Sequence, residues 1–255
     1  MVALMAVPAL EARGLCKSFG ALEVARNIDF ALGQGERRAL IGPNGAGKTT
    51  FVNLLTGAIA PSSGQVLLGG VDVTRMSQAE RVKRGLARTF QINQLFRGLS
   101  VLENVCMSVS ERVGARRQFL RPVGARGDVI SEAEAIIASL GLEGDTRRLV
   151  RELPYGRQRL VEIAIALGLK PTVLLLDEPT AGVPEGEGDI LVEVIENLPA
   201  DISVLIIEHD MEVVFRFAQR ITVLVAGAVL TEGTPAEIAA NAEVRAVYLG
   251  EGVHG

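Results

Sequence analysis

One glycine-rich stretch constrains the fold of this chain more than any other feature of the sequence. The segment Gly42-Pro-Asn-Gly-Ala-Gly-Lys48-Thr49-Thr50 matches G-x-x-x-x-G-K-[ST] in full and follows the strand-like run Arg38-Ala-Leu-Ile. Glycines let consecutive backbone N–H groups curl around a polyphosphate, and the N terminus of a following helix adds a favourable dipole. The stretch therefore predicts a nucleoside triphosphate site on a loop between a strand and a helix.

Each residue of this phosphate loop is a candidate for nucleotide binding. Lys48 is suited to reach the β- and γ-phosphates, and the Thr49 hydroxyl is suited to ligate Mg²⁺. The predicted ATP-binding residues of the loop are Gly42, Pro43, Asn44, Gly45, Ala46, Gly47, Lys48, Thr49 and Thr50. A simple glycine turn with a surface lysine is the structural alternative, and the rest of the chain decides between the two.

The bulk composition is that of a globular protein. Its 255 residues carry a net charge of −4, which argues against general nucleic-acid binding. Charged residues interrupt every long apolar run, and the apolar opening segment lacks the basic region of a signal peptide. The two cysteines, Cys16 and Cys106, lie far apart in apolar settings, which favours buried thiols in a reducing compartment. We therefore expect a cytoplasmic protein.

Alternating strand and helix patterns predict an α/β fold with a mainly parallel sheet covered on both faces, joined to antiparallel and helical parts. We expect strands within residues 10–30, broken at Gly14 and Gly20. Further strands are predicted at residues 37–41, 65–68, 172–176 and 202–207, with two short strands flanking Gly227. Helices are predicted at residues 48–55, 131–140, 157–169 and 189–197.

Four Ser/Thr-x-x-Glu sequences have the spacing of a capping box, in which the two side chains bond orphan N–H groups of a helix's first turn. They predict helix starts at Ser77, Ser100, Ser131 and Thr234, each with its glutamate three residues later.

The second informative stretch is Val173-Leu-Leu-Leu-Asp177-Glu178, an apolar run that ends in two carboxylates. Asp177 is expected at the carboxyl end of a buried strand, the edge at which an open α/β sheet binds ligands. Beside a phosphate loop, Asp177 is suited to hold Mg²⁺ through water, and Glu178 to orient and deprotonate an attacking water. Such a pair on its own is usually a helix N-cap, but the phosphate loop favours the catalytic interpretation.

With these motifs the chain resembles the ATP-binding subunit of an ABC transporter over nearly its whole length. The resemblance implies the P-loop NTPase ABC cassette fold in a single ABC ATP-binding domain, residues 1–255, with a helical subdomain at about 92–165. It implies that Gln91 is the Q-loop glutamine, which touches Mg²⁺ and the attacking water. It implies that His209, in Ile-Ile-Glu-His-Asp, is the switch histidine that contacts the γ-phosphate. Phe19 stands where the family places an aromatic ring against adenine.

The family's signature motif is resembled by the segment that precedes the predicted helix at 157–169. The resemblance implies that this segment closes over ATP held by a second subunit, with a helix N terminus aimed at the γ-phosphate. The implied signature residues are Leu153, Tyr155, Gly156, Arg157 and Gln158. Two positions depart from the family: Pro154 replaces the signature serine, and Pro184 replaces the usual Asp or Asn of the D-loop, residues 180–184. Both departures predict weaker ATP-driven closure.

Several segments are similar to importers of branched-chain (hydrophobic) amino acids, among them Leu95-Phe, Tyr155-Gly and Ala246-Val-Tyr-Leu-Gly. Amide and urea importers are close relatives and remain alternatives. The resemblance implies ATP and Mg²⁺ as cofactors, and a homodimer or a heterodimer with a second ABC ATPase. It also implies integral membrane permease subunits and, indirectly, a substrate-binding protein. It places the chain peripherally on the cytoplasmic face of the cell membrane.

Three other classes of protein are alternatives. Soluble ABC ATPases of translation or DNA maintenance usually carry two cassettes or long coiled-coil insertions, whereas this chain has one cassette and no sustained heptads. A P-loop kinase is disfavoured by the signature and by His209. A regulatory subunit with feeble ATPase would fit Pro154 and Pro184, but Lys48, Asp177 and Glu178 are all present. We therefore expect an ATPase coupled to transmembrane transport.

Overall fold

The computed structural model describes residues 7–89, 95–114, 127–184 and 186–250. Within these residues the strands form two sheets. The strands are β1 (Leu10–Phe19), β2 (Leu22–Leu32), β3 (Arg37–Ile41), β4 (Ser63–Leu68), β5 (Val71–Asp72), β6 (Leu86–Arg88), β7 (Val173–Asp177), β8 (Ser203–Ile207), β9 (Arg220–Val225) and β10 (Ala228–Gly233).

The larger sheet has the order β10-β9-β3-β8-β7-β6, and all its neighbours are parallel except β9 and β10. The smaller sheet, β2-β1-β4-β5, is antiparallel throughout. The predicted combination of a mainly parallel core with an antiparallel part is confirmed. In the parallel sheet, β3 and β7 both end at the same edge on either side of β8, which brings the phosphate loop and the acidic pair to that edge.

The helices cover the large sheet and extend from it. They are α1 (Lys48–Thr56), α2 (Gln78–Lys83), α3 (Val101–Arg112), α4 (Gly127–Ser139), α5 (Tyr155–Gly168), α6 (Glu187–Glu196), α7 (Met211–Phe217), α8 (Pro235–Ala240) and α9 (Ala242–Gly250). Two short 3₁₀ turns, Glu143–Asp145 and Val150–Glu152, precede α5. The bounds proposed for a helical subdomain, about 92–165, remain a prediction.

The large sheet is buried on both faces, as its near-continuous apolar strands require. Along β3, Ala39 and Ile41 pack into one apolar cluster and Leu40 packs into the other. The first cluster collects residues of α3 to α7, and the second collects residues of β1, β2, β4 and α1. The phosphate loop therefore leaves a strand that packing fixes from both sides.

The break predicted at Gly14 is wrong, whereas the break at Gly20 is confirmed. Strand β1 continues through Gly14, which has φ 54°, and the pairing with β2 shifts register between Ala12 and Leu15. A glycine with positive φ can therefore form a bulge inside a strand as readily as it ends one. Gly20, with φ 59°, lies in the turn between β1 and β2.

Three of the four predicted capping boxes are present, at Ser77, Ser100 and Thr234, each with both reciprocal hydrogen bonds. The fourth prediction is wrong, because α4 begins at Gly127 and Ser131 lies inside it. A serine in a helix interior has no orphan first-turn N–H to cap, so spacing alone did not identify the helix start.

Two buried arginines hold segments together that are distant in sequence. Arg81 is 1% exposed and donates to the carbonyl oxygens of Leu54 and Leu55, at the end of α1, and of Thr74 and Met76.

Arg37, at the start of β3, donates to the carbonyl oxygens of Leu198 (2.6 Å), Pro199 (3.1 Å) and Ile202, in the segment after α6. In the described ranges no helix combines the length and the apolar character needed to cross a bilayer.

Candidate nucleotide-binding site

The phosphate loop joins β3 to α1 and leaves the N terminus of α1 without a side-chain cap. The residue before α1 is Gly47, with φ 98°, and it makes no capping hydrogen bond. A Cβ at this position would lie 2.9 Å from the Val24 carbonyl oxygen, so glycine is required both by conformation and by space. The uncapped N–H groups of the first turn and the helix dipole together form an anion-binding end.

Lys48 points back along its own loop. Its Nζ donates to the carbonyl oxygens of Gly42 and Pro43, the latter at 3.0 Å. These bonds hold the ammonium group at the side of the loop, where the sequence predicts the β- and γ-phosphates.

A cleft of 460 Å³ lies above the loop and is large enough to receive part of a nucleotide. It is lined by residues 44–50 of the loop and also by Glu178, which is 130 residues away from Lys48 in sequence. The structure therefore brings the predicted base and the predicted phosphate-binding residues to one cavity. Its other lining residues are Leu22, Glu23, Val24, Arg26, Ala226 and Gly227.

Glu178 has a backbone conformation that is costly for a residue with a side chain. Its φ is 46°, in the left-handed region. Its N–H donates to the Ile207 carbonyl oxygen at 2.9 Å, and its own carbonyl oxygen accepts from the N–H of Ala181 at 3.1 Å. The side chain is exposed and lines the cleft, so the strained turn presents a carboxylate to the same cavity as the phosphate loop.

Asp177 is the last residue of β7 and forms an ion pair with Arg88, the last residue of β6. The other amino group of Arg88 donates to Asn53 Oδ1 at 2.8 Å. Since Asn53 follows Thr49 by one turn of α1, a single guanidinium connects the phosphate-loop helix to the acidic strand. The sequence motifs do not indicate this role of Arg88.

His209 follows β8 and its side chain is 65% exposed. It lines a second cleft, of 490 Å³, together with the D-loop residues 180–184. Asp210 caps α7 by accepting from the N–H groups of Glu212 and Val213. His209 therefore lies beside the D-loop, outside the residues that line the phosphate-loop cleft of the same chain.

The predicted signature residues surround the N terminus of α5. Pro154 occupies the N-cap position and offers no capping hydrogen bond, and the N–H of Gly156 donates instead to the Glu187 carboxylate of α6 at 2.9 Å. Tyr155 is exposed, at 37%. This helix end belongs to a third cleft, of 280 Å³, away from the phosphate loop of the same chain.

The other signature residues make contacts inside the chain. Leu153 is buried, and its carbonyl oxygen accepts from the side-chain amide of Gln158 at 2.8 Å. Arg157 forms an ion pair with Asp145.

Phe19, like Asp177 and His209, is a predicted site residue that is not among those lining the phosphate-loop cleft. Phe19 is 53% exposed at the end of β1, where Lys17 Nζ lies 4.9 Å from its ring centroid, and the cleft is lined by Leu22 instead. Gln91 lies outside the described residues. The roles predicted for Phe19 and Gln91 remain predictions.

Comparison with known proteins identifies the family. Residues 25–181 match the family model described as ABC transporter. Residues 228–254 match the model described as branched-chain amino acid ATP-binding cassette transporter. The chain belongs to the ABC transporter family of ATP-binding cassettes. The prediction of an ABC ATPase of the branched-chain amino acid transporter subfamily is thereby confirmed.

Curated relatives are similar to this ABC cassette from end to end. The high-affinity branched-chain amino acid transport ATP-binding protein LivG of Escherichia coli (strain K12) is 36% identical over 254 residues, covering 97% of this chain and 100% of LivG. The high-affinity branched-chain amino acid transport ATP-binding protein BraF of Pseudomonas aeruginosa is 34% identical over 258 residues, covering 97% and 100%.

Solved cassettes share the fold. The ADP conformation of an ATP-binding cassette of an ABC transporter superposes with a TM-score of 0.85 and 28% identity, covering 95% of this chain and 99% of that one. A nucleotide-free ATP-binding cassette from an ABC transporter gives a TM-score of 0.83 and 27% identity, covering 94% and 98%. The predicted fold class is confirmed.

Proposed function

We propose that this chain is the ATP-hydrolysing subunit of an importer for branched-chain or other hydrophobic amino acids. Binding of ATP closes two ATPase protomers over the nucleotide, hydrolysis lets them separate, and permease subunits convert the cycle into transport. The protomers work at the cytoplasmic face of the membrane. The observation that carries the ATPase mechanism is the single cleft that joins the phosphate loop to Glu178.

The proposed reaction is in-line attack of water on the γ-phosphorus of ATP, with cleavage of its bond to the β-phosphate oxygen. Glu178 orients the water and accepts its proton, while Lys48 and the N–H groups of α1 offset the charge of the phosphates. His209, from its exposed position after β8, contacts the terminal phosphate, and Gln91 contacts the attacking water. ADP, phosphate and a proton are the products.

The residues present fit a magnesium ion that arrives with the nucleotide. Mg²⁺ prefers oxygen ligands and is usually held by one or two carboxylates together with substrate phosphates. The Thr49 hydroxyl and, through water, Asp177 would hold the ion, and Gln91 is the third proposed ligand. The described residues hold no cluster of three or more His, Cys, Asp or Glu that would bind a metal alone. When bound, the ion would offset phosphate charge.

The signature segment acts on the ATP of the partner protomer. Its helix N terminus lies in a different cleft from the phosphate loop of the same chain, which supports a role in trans. Since Pro154 provides no hydroxyl, the backbone at Gly156 and the residues after it carry this contact.

The cargo assignment rests on relatedness. LivG and BraF, both named as branched-chain amino acid transport proteins, match over their full lengths, and the C-terminal segment matches the subfamily model. The test is uptake of labelled leucine, with urea as the comparison, by vesicles that contain the chain and its co-purifying permeases. Leucine uptake that requires ATP supports the assignment, and uptake of urea without leucine would contradict it.

The catalytic assignment is tested with Glu178→Gln. We expect this variant to bind ATP with the affinity of the parent, to lose at least about 10²-fold in turnover, and to accumulate as an ATP-bound dimer. Lys48→Ala is the contrasting variant, which should lose ATP binding itself. Turnover of Glu178→Gln at the parent's rate would show that Glu178 is not the base.

A further inference from the structure

Glu208 is a carboxylate in the interior that none of the proposed catalytic steps uses. It follows β8 directly, precedes His209, and has 0% exposure. A fully buried carboxylate is costly unless donors surround it, so the groups that satisfy it indicate why it is there.

The donors come from the two loops that carry the proposed catalytic residues. Oε1 of Glu208 accepts from the Thr180 hydroxyl at 2.6 Å and from the Thr180 N–H at 3.0 Å. Oε2 accepts from the N–H of His209 at 3.2 Å, and Nδ1 of His209 lies 3.8 Å away. The Glu208 carboxylate therefore joins the turn after Glu178 to the segment that carries His209.

The turn that Glu208 holds is the strained one. Asp177 and Ile207 are the last paired residues of β7 and β8, and beyond them the Glu178 N–H still bonds the Ile207 carbonyl oxygen. Glu208 extends this connection to Thr180 with its side chain. A left-handed φ at Glu178 persists only where the surrounding contacts over-determine it, and these contacts supply that restraint.

We propose that Glu208 is a positioning residue for ATP hydrolysis, which fixes the turn that carries Glu178 and the backbone of His209 relative to each other. This inference rests on the proposed function, because it takes the catalytic roles of Glu178 and His209 from there. Glu208 does not touch the nucleotide; it acts through Thr180 and His209.

Glu208→Gln tests the proposal with minimal change of shape. An amide has one acceptor oxygen, so either the N–H of Thr180 or the N–H of His209 must face the new amide donor. Thr180→Val removes only the hydroxyl that donates to Oε1, and Thr180→Ser restores it and serves as the matched control.

We expect Glu208→Gln and Thr180→Val to lower kcat about 10- to 100-fold, because small misplacements of catalytic groups have effects of this size. The Kd for a fluorescent ATP analogue should stay within about twofold of the parent's, since the phosphate loop is untouched. Thr180→Ser should turn over at nearly the parent's rate.

A second readout does not depend on activity. The chain has two histidines, His209 and His254, so selective ¹⁵N-histidine labelling gives two backbone amide signals. Loss of the carboxylate acceptor in Glu208→Gln should shift the His209 signal, and circular dichroism verifies that each variant is folded.

Two results would overturn the proposal: folded Glu208→Gln and Thr180→Val that both turn over like the parent, or a loss of kcat that only follows the loss of folded protein. Failure of the proposed function would give different results. In that case the parent hydrolyses no ATP, or Glu178→Gln retains normal turnover.

Discussion

The backbone N–H of Gly156 donates to the carboxylate of Glu187 at 2.9 Å, so the signature helix is capped from another helix. Pro154 at the N-cap position has no acceptor side chain, and Glu187 supplies the missing one from the start of α6. This close approach requires a glycine, because a Cβ at position 156 would lie only 2.6 Å from the Glu187 carboxylate. The capping acceptor that a serine at position 154 would provide is thus supplied from inside the protomer.

This compensation predicts a coupling between positions 154 and 187. Glu187→Ala should lower the free energy of unfolding by about 1 kcal/mol, the usual effect of losing a cap. In a Pro154→Ser background, where a hydroxyl can cap the helix, the same change should have a smaller effect. Urea unfolding of the four proteins measures the coupling, with Glu193→Ala, on the exposed side of α6, as the control. Equal losses in both backgrounds would contradict the capping role.

Arg88 should stabilise the protein through Asp177. The ion pair is largely shielded from solvent, with 20% and 27% of the two side chains exposed. Arg88→Met leaves the carboxylate without its guanidinium and should lower the free energy of unfolding by about 1–3 kcal/mol. Asp177→Asn should have a smaller effect in the Arg88→Met background than alone. A double-mutant cycle by chemical unfolding measures this, and strict additivity would disprove the coupling.

Arg81 should contribute more to stability than an exposed arginine of the same helix region. Arg81→Met removes a buried guanidinium that donates to the carbonyl oxygens of Leu54, Leu55 and Thr74, of which Leu54 keeps the N–H of Gly57. We expect a loss of about 3–5 kcal/mol in the free energy of unfolding. Arg84→Met is the matched control and should change it by less than about 0.5 kcal/mol, because Arg84 is exposed. Thermal and urea unfolding compare the two variants.

Glu162 makes the free energy of unfolding depend on pH, in the direction that its raised pKa determines. Burial raises the pKa of the Glu162 carboxyl to about 7, against the opposing effect of Arg159, whose Nη1 lies 3.1 Å away. The ordinary value is 4.5, so the folded state binds this proton more tightly than the unfolded state. The stabilisation is complete below about pH 4.5 and is lost as the pH rises through about 7, a change of about 3 kcal/mol.

Glu162→Gln removes this titration. When the pH rises from about 5 to about 8, the free energy of unfolding of the variant should fall by roughly 2–3 kcal/mol less than that of the parent. Urea unfolding at the two pH values gives the comparison, and the exposed Glu152→Gln serves as the control. Identical pH slopes for the parent and Glu162→Gln would contradict the raised pKa.

Local patterns predicted those parts of the molecule that local physics determines. The phosphate loop, the strand ending at Asp177 and three helix caps follow from neighbouring residues, and each formed as expected. The capping-box spacing predicted a wrong helix start at Ser131, which lies inside α4. The glycine at position 14 predicted a wrong strand break, because a bulge keeps β1 intact there.

The partners of the site residues could not be predicted in the same way. Glu187 meets Gly156 across 31 positions, and Arg88 meets Asp177 across 89. Such contacts depend on the packing of helices and on strand order, which a single sequence does not specify. For Glu208 a signal was available, because a carboxylate directly after an apolar strand needs donors nearby. The sequence did not indicate that Thr180 would be one of them.

Helix α6 is fastened at both ends. At its start, Glu187 accepts a hydrogen bond from the signature helix, which would close over the partner's nucleotide. At its end, the segment that follows α6 is bound by Arg37 of β3, the strand that leads into the phosphate loop. Ten helical residues form a stiff rod about 15 Å long. A pull that separates Gly156 from Glu187 would therefore be transmitted along α6 to the start of β3, the strand whose other end leads into the phosphate loop.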